Sequence, residues 1–259
     1  MKMTFFKRKV RGLAYRILSY IENNGNCDFD VNGERKFVKN LFDKFNESKQ
    51  KRVIFDVGAN TGDYAQILET NSVKFKVDVE LHLFEPVKSS FIELSKKLND
   101  KKHAFLNNCG ASNTDDVAKI YYNKEGSSLA SLYQRNLKNY DLQLDKSEEI
   151  KLIRLDRYIQ DCDIKHIDFV KIDIEGHELK AFEGFGKYMH SDFIDYIQFE
   201  YGGANLDSRT SLMEIYSFFA NNGFKIAKVM PNGLELREYS PFMDGFNYAN
   251  YVAISKRLV

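Results

Sequence analysis

Four groups able to hold or move a proton crowd the end of one apolar run: Asp173, Glu175, His177 and Glu178 in "FVKIDIEGHE", 169–178. A β-branched stretch that stops in acids and a glycine reads as a buried strand whose carboxyl end opens into a helix. A further acid, Glu200, closes a second such run, "DYIQFEY", 195–201. Asp173, Glu175, His177 and Glu200 are therefore the candidate catalytic residues. Their chemistry would be removal of a proton from a hydroxyl, which is too weak an acid to ionise at neutral pH without a base. Imidazole has the intrinsic pKa for that task. A carboxylate can serve if it is desolvated, or can orient the imidazole. Each also has a plain structural reading. Asp173 can cap the next helix. Glu175 with Gly176 can shape the turn and take backbone amides at the helix start. His177 can be an exposed first-turn residue, and Glu200 can accept from nearby amides. Asp173, His177 and Glu200 could also hold a divalent cation that acidifies the hydroxyl, although no dedicated ligand motif is present.

A second constellation precedes this one. In "VIFDVGANTGDY", 53–64, an apolar run ends in Asp56 and breaks into Gly58 and Gly62. Glycine lets backbone approach a ligand without a Cβ clash. A phosphate loop would need Gly-Lys-Ser/Thr, but Asp63 follows Gly62; the dinucleotide fingerprint would need G-x-G-x-x-G. Asp56 and Asp63 would also repel a pyrophosphate. A cationic ligand suits these acids, and S-adenosylmethionine carries a sulfonium and an ammonium with no phosphate. Asp56 could help hold its amino group. Glu85, in "LFEP" at the end of the next apolar run, stands where an acid accepts from ribose hydroxyls in nucleotide-binding folds.

Elements that could bring these residues together are legible in the rhythm of the chain. From residue 51 onward short apolar runs alternate with helical patterns, which predicts βαβ units and a mostly parallel sheet. Two strands in succession at the end, "FKIAKVM" and "NYVAISK", predict an antiparallel edge hairpin. The fold expected is α/β: a Rossmann-like, doubly wound, mostly parallel sheet with an antiparallel C-terminal edge strand. Its ligand would lie beyond the carboxyl ends of the strands. Residues 1–50 read as a helical extension, with a helix, a turn around "NNGNCDFDVNGE" and a second helix over 34–48; residues 51–259 read as the main domain.

The 259 residues carry 38 basic and 37 acidic side chains, a balance that argues against a nucleic-acid binder working by bulk charge. Cys27, Cys109 and Cys162 are odd in number with no CxxC, so neither a disulfide framework nor a zinc site is indicated and a reducing, cytoplasmic setting is expected. No apolar run is long enough for a membrane span. Residues 1–16 hold Lys2, Lys7, Arg8, Lys9, Arg11 and Arg16 without an acid, followed by a short amphipathic pattern with Leu13, Ile17 and Tyr20 on one face. The reading favoured by the sequence is a helix packed on the domain with its basic side in solvent; the other is weak contact with an anionic membrane surface.

Several blocks resemble the FkbM-type methyltransferases, a Rossmann-like (class I) branch of the S-adenosylmethionine-dependent enzymes: "FDVGANTGDY" (55–64), "FEP" (84–86), "RLDRYI" (154–159), "VKIDIEGHE" (170–178) and "IQFE" (197–200), with "NGE" (32–34) as a lead-in. The resemblance covers about residues 30–255. It implies transfer of a methyl group to oxygen, often a hydroxyl of a sugar or polyketide. It implies cofactor contacts at Asp56, Gly58, Asn60, Gly62 and Glu85; the other reading of Asp173, besides a catalytic one, is that it holds the methionine end of the cofactor. It implies adenine near Asn108, Cys109, Gly110 and Ala111, where "NCGA" departs from the more apolar pattern of many relatives, and a closing loop at "GSSLAS" with Ser127 and Ser128. The acceptor expected is a hydroxyl-bearing glycan or polyol; a small secondary metabolite, or a non-catalytic role as an interaction module, are the alternatives. Glycines after Glu200, the polar Asn205, Asp207 and Arg209, and the aromatics Tyr239, Phe242, Phe246, Tyr248 and Tyr251 would suit a sugar, rings stacking and polar groups reading hydroxyls.

Overall fold

The structure, a computed structural model, describes residues 3–98 and 100–259; of the basic cluster, Lys2 lies outside the described residues. In chain order the elements are α1 (Phe5–Ile21), α2 (Glu34–Phe45), β1 (Arg52–Val57), α3 (Asp63–Phe75), β2 (Val79–Phe84), α4 (Lys88–Leu98), β3 (Ala104–Asn107), β4 (Gly110–Ala111), β5 (Asp116–Tyr122), β6 (Lys146–Ile153), α5 (Leu155–Asp161), β7 (Ile167–Ile172), α6 (Glu178–Gly184), β8 (Ile194–Tyr201), α7 (Gly203–Ser208), α8 (Leu212–Asn221), β9 (Phe224–Met230), β10 (Gly233–Leu236) and β11 (Ala249–Ser255).

Eight strands form one sheet in the order β10-β9-β11-β8-β7-β1-β2-β3. β3, β2, β1, β7 and β8 run parallel. β7 is buried at all six positions, the continuous apolar pattern of a parallel strand covered on both faces. The winding reverses at β1, which pairs β2 on one side and β7 on the other. A crevice therefore opens between the carboxyl ends of β1 and β7.

Period-two alternation sends side chains to two separate cores. Phe55, Val57, Val170, Ile172, Ile197 and Phe199 pack with Phe182 of α6 and Phe219 of α8. Ile54 and Phe169 pack on the opposite face with Phe37, Leu41 and Phe42 of α2, Leu68 of α3 and Leu94 of α4. Burial of these side chains, about 1.5–3 kcal/mol each, holds the helices to the sheet.

Three expectations need correction in detail. The antiparallel edge exists, but the C-terminal strand is not its outermost member: β11 lies between β8 and β9, antiparallel to both, and β10 forms the rim as a hairpin with β9. β11 is buried at all seven positions, which an outermost strand would not be. The run "HAFLNNCG", 103–110, which the alternation of strands and helices makes one strand, holds two, β3 in the main sheet and the start of β4 in a separate three-stranded sheet, β4-β6-β5. β5 and β6 expose alternate polar residues, so no apolar run announced them. Finally, α2 belongs to the main core, whereas α1 buries none of its residues and is not packed on the domain.

Candidate active site

The turn after β1 is shaped by two backbone constraints. Gly58 has φ 89°, and a Cβ there would lie 1.9 Å from the carbonyl oxygen of Asp173. Only glycine lets the ends of β1 and β7 come this close. The N–H groups of Gly58 and Ala59 both donate to the Phe84 carbonyl, at 2.9 and 3.0 Å. Asn60, left-handed at φ 46°, then donates its N–H to Glu85 Oε2 at 2.8 Å, while Val87 N–H donates to Glu85 Oε1 at 2.7 Å. Glu85 is thus a brace: one carboxylate fixes the glycine turn and the start of α4. Burial pushes its pKa up to about 7, against the opposing pull of the two amides.

Around this turn lies a cavity of about 640 Å³, partly open to solvent. Its floor is Gly58, Asn60 and Glu85; its apolar wall is Val87, Ile120, Ile150 and Leu152; its far end is Asp173, Glu175 and His177. The wall is the contribution of the small sheet, whose β5 and β6 carry Ile120, Ile150 and Leu152. The loop beyond β5 closes over the cavity with Ser127 and Ser128. It is pinned where Tyr121 and Ser131 exchange backbone hydrogen bonds, at 2.8 and 3.0 Å, and where Ser131 Oγ donates to the Glu175 carbonyl at 2.7 Å.

A second cavity, of about 880 Å³, is lined by Arg135, Asp173, Glu175, Glu178, Glu200, Asn205 and Tyr248, among others. Ser128, Asp173 and Glu175 line both cavities, so the two spaces meet at the carboxyl end of β7. Four acids face the second cavity against one guanidinium, and that guanidinium is already engaged: Arg135 donates to Glu175 Oε2 at 2.5 Å and to Asp207 Oδ2 at 3.2 Å. Burial, reinforced by Asp173, still lifts Glu175 to about 8. Glu175 is also left-handed, φ 50°, beside Gly176 at φ 102°. Glu178 braces that bend through its Oε1, which accepts Gly176 N–H at 3.1 Å and Ile174 N–H at 3.3 Å.

Behind the junction lies a buried polar seam. Strand alternation puts Asp56, Lys171, Gln198, Glu200 and Asn250 on the face covered by α2 and α3. Lys171 Nζ is 3.2 Å from Asp173 Oδ2 and 3.8 Å from Glu200 Oε1. Burial alone would lower its pKa, but Asp173, Glu200 and Glu34 outweigh burial and raise it, so the ammonium stays charged. Tyr248 donates to Glu200 Oε1 at 2.7 Å, and Asn250 Nδ2 donates to the Tyr248 hydroxyl at 3.1 Å. Gln198 Nε2 donates to Asn250 Oδ1 at 3.1 Å and to Glu34 Oε2 at 2.5 Å. Burial raises the Glu200 pKa well above the carboxylate range, Asp173 adding to the rise.

The sequence-selected residues therefore divide. Gly58, Asn60, Glu85, Gly110, Ala111, Ser127, Ser128, Asp173, Glu175 and His177 line the first cavity, and Glu200 the second. Asp56 lies inside the sheet instead, opposite Lys171 in the β1–β7 register. One of its oxygens has no hydrogen-bond partner, and burial raises its pKa to about 7. Gly62 packs against Leu94 of α4. Asn108 donates to the carbonyls of Glu85 and Pro86, and the Cys109 side chain is in the core. These four line neither cavity.

His177 is neither an exposed first-turn residue nor part of the second cavity. Its Nε2 is 3.0 Å from Ser112 Oγ and its Nδ1 3.1 Å from the Tyr133 hydroxyl. Burial, with Lys180 nearby, pulls its pKa down to about 4. Both ring nitrogens are thus engaged by hydroxyl groups. Asp173, His177 and Glu200 do not form a cation site either. Among the described residues the group of three His, Cys, Asp or Glu with ligand atoms within 4.8 Å is His166, Asp168 and Asp195, and Asp168 there is salt-bridged to Arg52 at 2.8 Å. Between Asp173 and Glu200 the positive charge is the ammonium of Lys171. Of the expected aromatics only Tyr248 lines the second cavity; Tyr201 and Tyr239 donate to Asp244, which also accepts the Leu212 N–H starting α8.

The residues the sequence did not single out are Lys171, Arg135 and Glu34. Lys171 carried a signal, a lysine inside a strand otherwise apolar. Arg135 lies in the long connection between β5 and β6, whose fold nothing in the pattern specified.

Comparison with known proteins adds three findings. The family model of the FkbM methyltransferase domain matches residues 56–226. The hexuronic acid methyltransferase AglP of Haloferax volcanii is 25% identical over 166 residues, covering 62% of this chain and 60% of that protein. The chain thus spans about three fifths of the length of that curated relative. The crystal structure of a methyltransferase FkbM from Methylobacillus flagellatus KT superposes with a TM-score of 0.50 at 16% identity, over 83% of this chain and 48% of that one.

Proposed function

This chain belongs to the FkbM methyltransferase family, and on that premise we propose that it is an S-adenosylmethionine-dependent O-methyltransferase acting on a hydroxyl of a sugar or related polyol. The observation that carries the reading is the meeting of two cavities at Asp173. The first fits the donor. Its glycine floor admits a ligand against backbone, its acid at the end of β2 suits ribose, and its apolar wall from β5 and β6 suits a heterocycle. It offers no lysine or arginine for a phosphate among its lining residues. S-adenosylmethionine would supply the methyl group on a cationic sulfur, for which a carboxylate-lined junction is favourable.

The second cavity would take the acceptor. Asp173 would accept the hydroxyl proton, since of the residues lining both cavities Ser128 is no base and Glu175 is tied to Arg135. Lys171 and Glu200 would be its positioning residues, holding the carboxylate from behind. His177 would serve the donor side. The relative's name specifies a hexuronic acid, but the one cation lining the second cavity, Arg135, is already engaged by Glu175 and Asp207, which leaves no partner there for a sugar carboxylate and favours a neutral sugar here.

The deciding experiment is calorimetric titration with S-adenosylhomocysteine, followed by a screen of neutral sugars, uronic acids and their nucleotide-linked forms for methyl uptake. Micromolar binding with uptake into a neutral sugar is expected. Absence of binding leaves only an interaction module, and preference for a uronic acid overturns the acceptor assignment.

A further inference from the structure

We propose that α1 is a membrane-docking helix that lies in the interface of a bilayer rich in anionic lipid. The sequence left two readings for this segment, and the favoured one required the helix to pack on the domain. It does not: none of the residues of Phe5–Ile21 is buried.

At 100° per residue, Tyr20, Leu13, Phe6, Ile17, Val10 and Ile21 fall on one continuous arc of about 100°. The side chains of this arc are open to solvent, Phe6 at 75%, Leu13 at 61%, Ile17 at 51% and Ile21 at 59%. Five cations, Lys7, Arg8, Lys9, Arg11 and Arg16, lie on the rest of the circumference, with Phe5, Tyr15 and Leu18 interspersed among them, and the helix holds no acid. Lys9 and Arg16 border one side of the arc, Lys7 and Arg11 the other. A soluble surface helix would turn such an arc toward the core. A continuous apolar arc flanked on both sides by cations is the pattern of a helix lying flat at a headgroup boundary, its rings and aliphatic chains among the acyl chains and its cations at the phosphates. The one-sided charge selects the occupant: a second copy of α1 would set cation against cation.

Among the described residues the helix is hydrogen-bonded to the body near its far end. The Tyr15 hydroxyl donates to Asn247 Oδ1 at 2.7 Å, and Gly25 N–H, beyond α1, donates to the Tyr248 carbonyl at 2.8 Å. The same segment brings Cys27 to the lining of the second cavity. Docking would therefore hold that cavity beside the lipid surface. The docking itself does not depend on the methyl-transfer reading.

The test is sedimentation of the full chain with vesicles of phosphatidylcholine alone and of phosphatidylcholine with phosphatidylglycerol, at low and at high salt. Binding to the anionic vesicles at low salt is expected, weaker at high salt and at least about tenfold weaker on neutral vesicles. The variant Leu13→Glu with Ile17→Glu, at exposed positions, should unfold at the wild-type temperature and lose vesicle binding. Loss of binding in Arg8→Glu with Arg11→Glu would support the electrostatic half. No binding to anionic vesicles at low salt, binding unchanged by the Leu13/Ile17 pair, or a lipid-free dimer in sedimentation velocity that the same pair dissociates would each overturn the proposal.

Discussion

The ammonium of Lys171 sits 3.2 Å from a carboxylate oxygen of Asp173. Asp173 stands where the two cavities join; Lys171 is all but closed to solvent. A cation walled in this way is held by the acids around it, and those acids depend on it in return. Replacing it with an isosteric apolar chain, Lys171→Met, strands Asp173, Glu200 and Glu34 without their counter-charge. Denaturant unfolding at pH 7 should show a loss of about 3–5 kcal/mol; a loss below about 1 kcal/mol would mean that the seam is wetter than its burial indicates.

Asp173→Asn keeps the shape of the junction and removes the proposed base. Turnover should fall by about 10²–10⁴, the usual worth of a positioned proton acceptor. Affinity for S-adenosylhomocysteine should move far less, so single-turnover rates and calorimetry must be read together. A normal rate transfers the proton to Glu200 or to solvent.

His177→Asn should leave turnover within a few-fold, because the imidazole is tied to Ser112 and Tyr133 on the donor side. Its effect belongs to stability. A folded pKa of about 4 against an ordinary imidazole value of 6.5 means that the unfolded chain binds the extra proton between those values. Stability from this group is therefore complete above pH 6.5 and is lost as the pH falls toward 4, by at most about 3 kcal/mol. Thermal melts across that window should decline less steeply in the variant.

Glu85→Ala frees the amides of Asn60 and Val87 together with the site expected to read ribose. Affinity for S-adenosylhomocysteine should weaken by about 1.5–3 kcal/mol. Unchanged affinity would confine Glu85 to bracing the turn.

Glu85 at about 7 and Glu175 at about 8 are partly protonated at neutral pH. A cationic ligand favours their charged forms, so binding should expel protons and tighten as the pH rises from 6 to 8.5. Titrations in buffers of unlike ionisation enthalpy measure this directly. S-adenosylmethionine should release more protons than S-adenosylhomocysteine, whose sulfur is neutral; equal release would place the acids away from the sulfur.

What the sequence revealed was what local pattern encodes. Apolar runs ending in Val57, Phe84 and Ile172 located the parallel strands, and the residues beyond them, Gly58, Glu85, Asp173 and Glu175, line one cavity. Roles that depend on distant neighbours were not legible. Nothing near His177 announces Ser112 or Tyr133, and Asp56 reads as a strand-end acid although pairing with β7 carries it inside, opposite Lys171. The small sheet escaped because its strands are half exposed and joined by a long irregular connection.

Glu34 starts α2, yet its carboxylate accepts from Gln198 in the middle of the main sheet, two hydrogen bonds short of Tyr248 at the second cavity. A chain trimmed at residue 50, the break that composition suggests, would lose an anion from beneath Lys171 and leave one of the two amide hydrogens of Gln198 without its acceptor, the other still bonded to Asn250. α2 cannot be swapped out as part of a detachable module: whatever replaces it must bring its own negative charge to the same point.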